Sequence, residues 1–327
     1  MILPPISTLI AIDPSNMARP LYPSSVSLSS TSLQKSVQDL LLPHKLTVAK
    51  IENLSNHLHR IYRISLSNGS RLILKLPPPA STSLLRHEKA NLKTEAVVLS
   101  HLAKTGLPIA RILKYDKKGP RLGSPFLLTT HLPGIRYADA LPYLSRSERL
   151  GIEAQIRNLR ATMSQHVSRT FGPAALVAAN RGFSTWREAF ASMMESVLMD
   201  GEDMMINLPY ITIRDLLSAC AGSFDEVKEA RLVVLSLEQP ENVLIERRTN
   251  SVTGLLDFSQ AIWGDPAFAN GGVEVGAGRR AMLYAVYHAV VAIVTNHYRP
   301  QREGEGQLEL DARKRLTTVL GKLSGEK

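Results

Sequence analysis

Apolar and polar residues alternate along the early part of the chain, a pattern typical of strands with one buried face. It predicts strands at residues 46–52, 58–66 and 71–76. Asn68-Gly69 lies between the last two strands and favours the positive φ angles of a type I′ turn. We therefore predict that the second and third strands form a β-hairpin.

Beyond the hairpin the pattern changes to that of a helix. Residues 88–102 are predicted to be helical because their apolar residues recur on one face, at Leu92, Val98, Leu99 and Leu102. Two further apolar segments, 107–115 and 125–130, are predicted strands. The first part of the chain is thus expected to be a mainly antiparallel sheet with one helix.

Helical periodicity dominates after residue 145. The predicted helices are residues 147–169, 185–199, 211–220, 279–298 and 308–323. One β feature interrupts them, a ribbon formed by residues 243–246 and 252–256 around a polar turn. The expected fold class is α+β, with a small antiparallel β lobe, a larger, mostly helical lobe, and a ligand cleft between them.

The length of 327 residues and a hydrophobic content of 44% suffice for two lobes. Residues 1–34 are rich in proline and serine, a composition that buries little apolar surface, so they are expected to be a poorly ordered extension. Residues 35–131 are predicted to form the N-terminal lobe and residues 132–327 the C-terminal lobe.

Basic residues outnumber acidic ones by 39 to 29, giving a formal net charge of +10. The basic residues are dispersed along the chain and the aromatic content is 6%. Nucleic acid is therefore the least supported of the partners that a positive net charge can indicate. The longest apolar run, residues 281–295, is shorter than the ~18 residues of a membrane span. A single cysteine, Cys220, excludes an internal disulfide and fits a reducing compartment, so a cytoplasmic location is expected.

Two charged residues of the first lobe occupy positions with apolar neighbours. Lys75 lies on the third strand, and Glu95 lies within the apolar stripe of the helix. Burying an unpaired charge is costly, so pairing of Lys75 with Glu95 explains both positions. The alternative is that both long side chains extend to solvent.

The ribbon carries a second pair of polar residues. Asn242 precedes its first strand and Asp257 follows its second, so antiparallel pairing brings both to one end. Two oxygen ligands at this spacing suit Mg²⁺, which typically binds one or two protein oxygens together with phosphates and water. The alternative is a turn role for Asn242 and a capping role for Asp257.

In this order, several segments resemble the aminoglycoside phosphotransferase and choline kinase family, which has a protein-kinase-like fold. The segments are Arg71–Lys75 with Glu95, Leu107–Ala110, Phe126–Gly134, Pro240–Leu244 and Gly254–Phe258. The resemblance extends from about residue 47 to about residue 300. It implies an ATP-dependent phosphotransferase that acts on a hydroxyl of a small molecule.

The resemblance also implies roles for the charged and polar residues. Lys75 would bind the α- and β-phosphates of ATP, and Glu95 would orient Lys75. Asn242 and Asp257 would bind Mg²⁺. The predicted cofactors are therefore ATP and Mg²⁺.

Two backbone segments would complete the nucleotide site. Leu54, Ser55 and Asn56 would form the loop over the phosphates, without the glycines that many family members have there. The backbone from Thr130 to Leu132 would be the hinge that contacts the adenine.

One departure from the family concerns the catalytic base. The family's loop is His-x-Asp, four residues and the metal-binding Asn, a spacing that puts Leu235 and Leu237 at the His and Asp positions. Leucine has no basic atom, so it cannot accept the proton of the acceptor hydroxyl. Glu238 is the nearest acid and could serve as the base only if the loop were shifted by one residue.

Two functions therefore remain open. One is a small-molecule phosphotransferase with weakened or lost activity; the other is an inactive kinase-like protein that binds nucleotide or a small molecule as a scaffold or sensor. If the alignment is right, Leu237→Asp should restore a base and raise phosphotransfer. Nothing in the sequence identifies the acceptor.

Overall fold

The computed structural model describes residues 30–41, 46–54, 58–120, 122–269, 278–299 and 305–325, and they form two lobes. The predicted α+β fold class is confirmed. The N-terminal lobe is a five-stranded antiparallel sheet with the strand order β1-β2-β3-β5-β4. Its strands are β1 (Val48–Asn53), β2 (Arg60–Leu66), β3 (Arg71–Leu76), β4 (Ile112–Asp116) and β5 (Phe126–Thr130).

The β2–β3 hairpin is confirmed, but its turn differs from the prediction. Gly69 has a φ of +82°, whereas Asn68 does not have a positive φ. The backbone N–H of Gly69 donates to the carbonyl of Leu66 at 3.0 Å, and the N–H of Leu66 donates to the carbonyl of Ser70 at 2.9 Å. The connection is therefore a three-residue loop in which only the glycine is left-handed, rather than a type I′ turn.

Helix α1 (Ser30–Leu41) covers one face of this sheet and was not predicted. It includes the last residues of the predicted extension, and residues 1–29 lie outside the described part of the chain. Its buried residues are Leu33, Val37, Leu40 and Leu41. They share an apolar cluster with Leu72, Leu74 and Leu76 of β3, which leaves Lys75 on the opposite face of the sheet.

Helix α2 (Asn91–Leu102) packs against the face of the sheet that carries Lys75. A short 3₁₀ turn, Glu88–Ala90, precedes it, so the two elements together span the predicted helix. The predicted apolar stripe of Leu92, Val98, Leu99 and Leu102 is buried, and Glu95 is buried with it.

The C-terminal lobe is mainly helical, as predicted. Its helices are α3 (Tyr137–Ala140), α4 (Arg146–Met163), α5 (Ala174–Val177), α6 (Trp186–Asp203), α7 (Tyr210–Ala219), α8 (Arg279–Tyr298) and α9 (Glu305–Gly325). Capping boxes begin the two helices of 18 residues, with Ser145 and Glu148 at α4 and Thr185 and Glu188 at α6. None of the described helices combines the length and the apolar composition that a membrane crossing requires.

The predicted ribbon is confirmed, but the expectation that it is the only β feature of the C-terminal lobe is wrong. The ribbon strands β10 (Val243–Glu246) and β11 (Ser251–Leu255) form a sheet with β6 (Ile135–Arg136). A second sheet has the order β7-β9-β12-β8 and consists of β7 (Val167–Ser168), β8 (Gly172–Pro173), β9 (Ala230–Val234) and β12 (Ala261–Gly264). These strands are short, and the buried ones lack the alternation of apolar and polar residues that identifies a strand in a sequence.

Candidate functional site

Lys75 and Glu95 meet between the sheet and α2. Lys75 lies on the central strand β3, opposite Ile61 of β2 and Leu127 of β5. Its Nζ is 2.5 Å from Oε2 of Glu95, and each side chain is 10% exposed. The structure therefore contains the pair that the sequence predicted, and neither side chain extends to solvent.

Asp257 adds a second carboxylate to this pair. Its Oδ1 is 3.7 Å from Nζ of Lys75, and about a third (34%) of its side chain is exposed. Asp257 has a φ of +57°, and Oδ1 accepts a hydrogen bond from the backbone N–H of Ser259 at 3.2 Å. The Ser236 hydroxyl donates to the backbone carbonyl of Asp257. These contacts hold the Asp257 carboxylate beside Lys75 with part of its surface open.

The ribbon brings Asn242 to the same place as Asp257. Val243 pairs with Leu255, and the backbone N–H of Leu256 donates to the carbonyl of Asn242 at 2.8 Å. The side-chain Nδ2 of Asn242 donates to the carbonyl of Ser236 at 2.9 Å. The amide donor of Asn242 is thus used within the loop, and its Oδ1 is the atom suited to bind a cation.

The charge states follow from these contacts. Burial would lower the pKa of Lys75, but the carboxylates of Glu95 and Asp257 outweigh it and raise that pKa above its usual value. Burial raises the pKa of Glu95 against the effect of Lys75. For Asp257 burial also acts upward, yet Lys75 and the hydrogen bonds from Ser259 hold its pKa below the usual value. Lys75 is therefore a cation, and Asp257 an ionised carboxylate, at neutral pH.

Neither leucine of the loop before Asn242 presents a base to this cluster. Residues Leu235–Glu238 form a 3₁₀ helix, and Leu237 is 2% exposed within the large apolar core of the C-terminal lobe. Leu235 also packs against that core. An aspartate at position 237 would be buried there, so the expectation that Leu237→Asp restores a base is not supported by this loop conformation. The side chain of Glu238 lies outside the described part of the structure.

Thr130, the first residue of the predicted hinge, is hydrogen-bonded to a residue of the N-terminal lobe. The backbone N–H of Thr130 donates to the carbonyl of Arg111, and its Oγ1 accepts from the N–H of Arg111, both at 2.9 Å. Leu132 packs against Gly254 of β11, where an added Cβ would lie 3.1 Å from Cδ1 of Leu132. A glycine at position 254 therefore allows the ribbon to approach the hinge closely.

Backbone contacts join the segment Leu107–Ala110 to β11. The backbone N–H of Leu255 donates to the carbonyl of Pro108 at 2.8 Å, and Ile109 forms an isolated parallel bridge with Leu255. The segment after α2 is thus tied to the strand that leads into Asp257. This contact joins the two lobes next to the candidate site.

Sequence reasoning missed two residues beside Asp257. Ser236 is buried, and its contact with Asp257 depends on the loop conformation. His59 is also buried and helps to lower the pKa of Asp257. His59 precedes β2 by one residue and, by strand alternation, shares the face of Ile61 and Lys75, which is a signal that the sequence contained. The predicted phosphate-loop residues Ser55 and Asn56 lie outside the described residues.

Comparison with known families agrees with this geometry. Residues 50–195 match the model of the phosphotransferase enzyme family APH. The match ends before the loop at residues 235–238 and before Asp257. No curated protein matches the sequence.

The similarity to solved structures with the same fold extends over almost the whole length of those structures. Aminoglycoside phosphotransferase APH(4)-Ia, as a thermostable mutant in a ternary complex with AMP-PNP and hygromycin B, has a TM-score of 0.62 at 16% identity, over 87% of this chain and 98% of that one. A putative aminoglycoside phosphotransferase from Ralstonia eutropha has a TM-score of 0.62 at 12% identity, over 89% and 98%. Aminoglycoside 2'-phosphotransferase-IIIa in complex with GDP has a TM-score of 0.53 at 15% identity, over 89% and 99%.

Proposed function

Because the chain has the fold of the aminoglycoside phosphotransferases and its resemblance to their family is confirmed, we propose that it binds Mg²⁺·ATP between its lobes. We further propose that it is a phosphotransferase for a small-molecule hydroxyl whose activity is weakened or lost. The nucleotide part rests on the cluster of Lys75, Glu95 and Asp257. The activity part rests on the loop at residues 235–238.

The single observation that carries the nucleotide site is the position of Lys75. Its ammonium lies between two carboxylates, at 2.5 Å from Glu95 and 3.7 Å from Asp257. Glu95 is buried and orients the ammonium, whereas Asp257 is partly exposed. A phosphate group entering there would meet a fixed cation, which is the arrangement that phosphoryl transfer requires.

The side-chain oxygen atoms of Asp257 and Asn242 are suitable ligands for Mg²⁺. Asp257 offers an ionised and partly exposed carboxylate, and Asn242 offers an amide oxygen at the same end of the ribbon. Among the described residues no group of three or more His, Cys, Asp or Glu side chains could hold a metal. Two protein oxygens suit Mg²⁺, which keeps several waters and binds nucleotide phosphates. When bound, it would neutralise charge on those phosphates.

Activity is proposed to be weak because the acceptor hydroxyl has no base at the expected position. Leu237 is apolar and faces the core instead of the cleft. General-base assistance contributes roughly 10²–10⁴-fold to rate, so its loss slows transfer while positioning and electrostatic effects remain. The inactive scaffold or sensor stays the alternative function, and it shares the nucleotide site.

Calorimetric titration of the purified protein with ATP, with and without Mg²⁺, tests the nucleotide site. We expect saturable binding that requires Mg²⁺. The variants Lys75→Met and Asp257→Asn, which keep side-chain volume, should each weaken binding at least tenfold. Lys50→Met is the matched control, because Lys50 is an exposed lysine of the same lobe. Unchanged affinity in both site variants, with folding verified by circular dichroism, would refute the site.

Phosphate transfer is a separate measurement. ADP release from wild type, in the presence of a panel of polyhydroxylated and amino sugars, should exceed that of Asp257→Asn if any transfer remains. Equal rates with every acceptor, together with Mg²⁺-dependent binding of ATP, would favour the inactive alternative.

A further inference from the structure

Two histidines from different lobes meet outside the candidate nucleotide site. His101 lies in the last turn of α2, and His166 lies between α4 and β7. Nε2 of His101 is 3.2 Å from Nδ1 of His166, and the two ring centroids are 5.0 Å apart. The two residues are 65 positions apart in the sequence, so only the fold brings them together. We call them the histidine pair.

The fold holds both members of the histidine pair in place. The backbone N–H of His166 donates to the carbonyl of Met163 at 3.0 Å, and its carbonyl accepts from the N–H of Leu232 at 3.0 Å. The ring of His101 belongs to a helical residue and makes an edge contact with the buried ring of Trp263, at a centroid distance of 5.2 Å. Because the two side chains are already ordered, a ligand that binds both loses little affinity to their ordering.

The distance between the two nitrogens is close to the one that a single bound ion imposes. Zn²⁺ binds imidazole nitrogens at about 2.0–2.1 Å in tetrahedral geometry, which places two such nitrogens about 3.3–3.4 Å apart. The observed 3.2 Å agrees within the tolerance of about 0.2 Å that is usual for metal sites. Only a rotation of the two rings is therefore needed to direct both nitrogens at one ion.

The proton between the two rings does not prevent metal binding. A hydrogen bond between imidazole nitrogens needs one nitrogen with a proton and one with a lone pair, so at least one ring is neutral. A neutral donor ring frees its lone pair when its proton moves through solvent to the other nitrogen of the same ring. This tautomer change leaves the charge of both rings unaltered, and His101 is exposed to the solvent that carries the proton.

The ligand atoms select the kind of metal. Imidazole nitrogens suit Zn²⁺ and neighbouring transition metals, whereas Mg²⁺ and Ca²⁺ prefer oxygen ligands. Among the described residues no third His, Cys, Asp or Glu joins the histidine pair in a metal-binding group. The remaining coordination positions would therefore be filled by water, as the open position of a catalytic zinc site is.

A small cavity beside His101 provides space for such water. Its volume is about 240 Å³, and His101 and Ser168 line it together with apolar residues of α2, β7, α5 and β9. Cavities for organic ligands typically begin at about 300 Å³, so this one is small for such a ligand. It is nevertheless several times the ~30 Å³ that one water occupies in the liquid. The cavity thus suits a hydrated ion better than an organic molecule.

We propose that the histidine pair binds one divalent transition-metal ion of the Zn²⁺ class. Its protein ligands would be Nε2 of His101 and Nδ1 of His166. Because the two histidines come from different lobes, the ion would link α2, the helix that carries Glu95, to the C-terminal lobe. This site is separate from the Mg²⁺ ligands Asn242 and Asp257, and it does not depend on nucleotide binding.

Calorimetric titration of the full chain with Zn²⁺ tests the proposal. Excess Mg²⁺ is present throughout, so that the oxygen atoms of Asn242 and Asp257 are occupied. We expect saturable one-to-one binding of Zn²⁺. The variants His101→Gln and His166→Gln should each lose at least tenfold in Zn²⁺ affinity, and the double variant should lose little more than either one, because each substitution alone removes the chelation.

His297→Gln is the matched control, since His297 is a partly exposed histidine of α8 that lies beside Glu309. It should bind Zn²⁺ as wild type does. Zn²⁺ should also raise the thermal midpoint of wild type and of His297→Gln, but not that of His101→Gln, because the ion binds only the fold in which the two histidines meet.

Three results would overturn the proposal: no saturable Zn²⁺ binding by wild type below millimolar concentration, displacement of Zn²⁺ by Mg²⁺, or wild-type affinity in either single variant of the histidine pair. Mg²⁺·ATP binding, measured without Zn²⁺, should be the same in wild type and in all these variants. Failure of the zinc site is thereby distinguished from failure of the nucleotide site.

Discussion

Arg86 of the N-terminal lobe makes two hydrogen bonds to Asp200 of the C-terminal lobe. Its backbone N–H donates to Oδ2 at 3.0 Å, and its guanidinium Nη1 lies 2.5 Å from Oδ1. Asp200 is 1% exposed on α6, whereas Arg86 lies just before the turn that leads into α2. Arg299, directly after α8, makes a second contact of this kind with Glu88. The segment that positions α2, and with it Glu95, is therefore fixed by the C-terminal lobe.

Replacing Arg86 with alanine should destabilise the protein by about 3 kcal/mol. The change leaves the buried carboxylate of Asp200 with one backbone hydrogen bond and no cation, and breaking a buried pair typically costs about 3–5 kcal/mol. Urea unfolding measures the loss. Arg187→Ala is the matched control, because Arg187 and Asp225 form an exposed pair worth at most about 1 kcal/mol. Similar losses in both variants would contradict the importance of the inter-lobe pair.

Tyr137→Phe should stabilise the protein by about 1 kcal/mol. The Tyr137 hydroxyl is buried and has no hydrogen-bond partner among the described residues, and burial raises its pKa to about 12. An unsatisfied buried hydroxyl costs about 1–3 kcal/mol, so its removal is favourable. Tyr284→Phe should have the opposite effect, because that hydroxyl accepts from Trp186 and donates to Asp265. Thermal unfolding of the two variants must shift in opposite directions.

Leu237→Asp should unfold more easily and should not raise ATP turnover. The side chain is 2% exposed in the core, so the substitution removes apolar contacts and buries a carboxyl, with an expected loss of at least about 3 kcal/mol. Leu150→Asp on α4, where the leucine is 52% exposed, should change stability by less than about 1 kcal/mol. A folded Leu237→Asp variant with increased phosphotransfer would show that the loop can rearrange to present this position to the cleft.

Glu52 should contribute to a loss of stability in acid. Hydrogen bonds from Arg63 and Lys50 lower its pKa to about 2. Because the folded value lies below the unfolded one, the contribution is full above about pH 5 and is lost as the pH falls toward about 2. Urea midpoints measured from pH 5 to pH 3 should fall less steeply in Glu52→Gln than in wild type. Asp215→Asn, which removes an exposed carboxylate of α7, should retain the wild-type slope.

The local pattern of the sequence determined the elements that carry the site. Alternation along β3 and the helical period of α2 identified Lys75 and Glu95 as charges in apolar surroundings, and a buried charge needs a partner. The same reasoning located the ribbon and placed Asn242 and Asp257 at one end of it. These features depend on short-range periodicity, which the order of residues contains directly.

Tertiary structure decided what periodicity does not encode. The contact between Arg86 and Asp200 joins residues 114 positions apart, and the local sequence of neither segment predicts this pairing. Strands β9 and β12 are short, and their burial depends on the helices around them. The inward position of Leu237 follows from a 3₁₀ turn within a packed core. The sequence showed that position 237 carries no basic atom, but only the fold showed where that side chain goes.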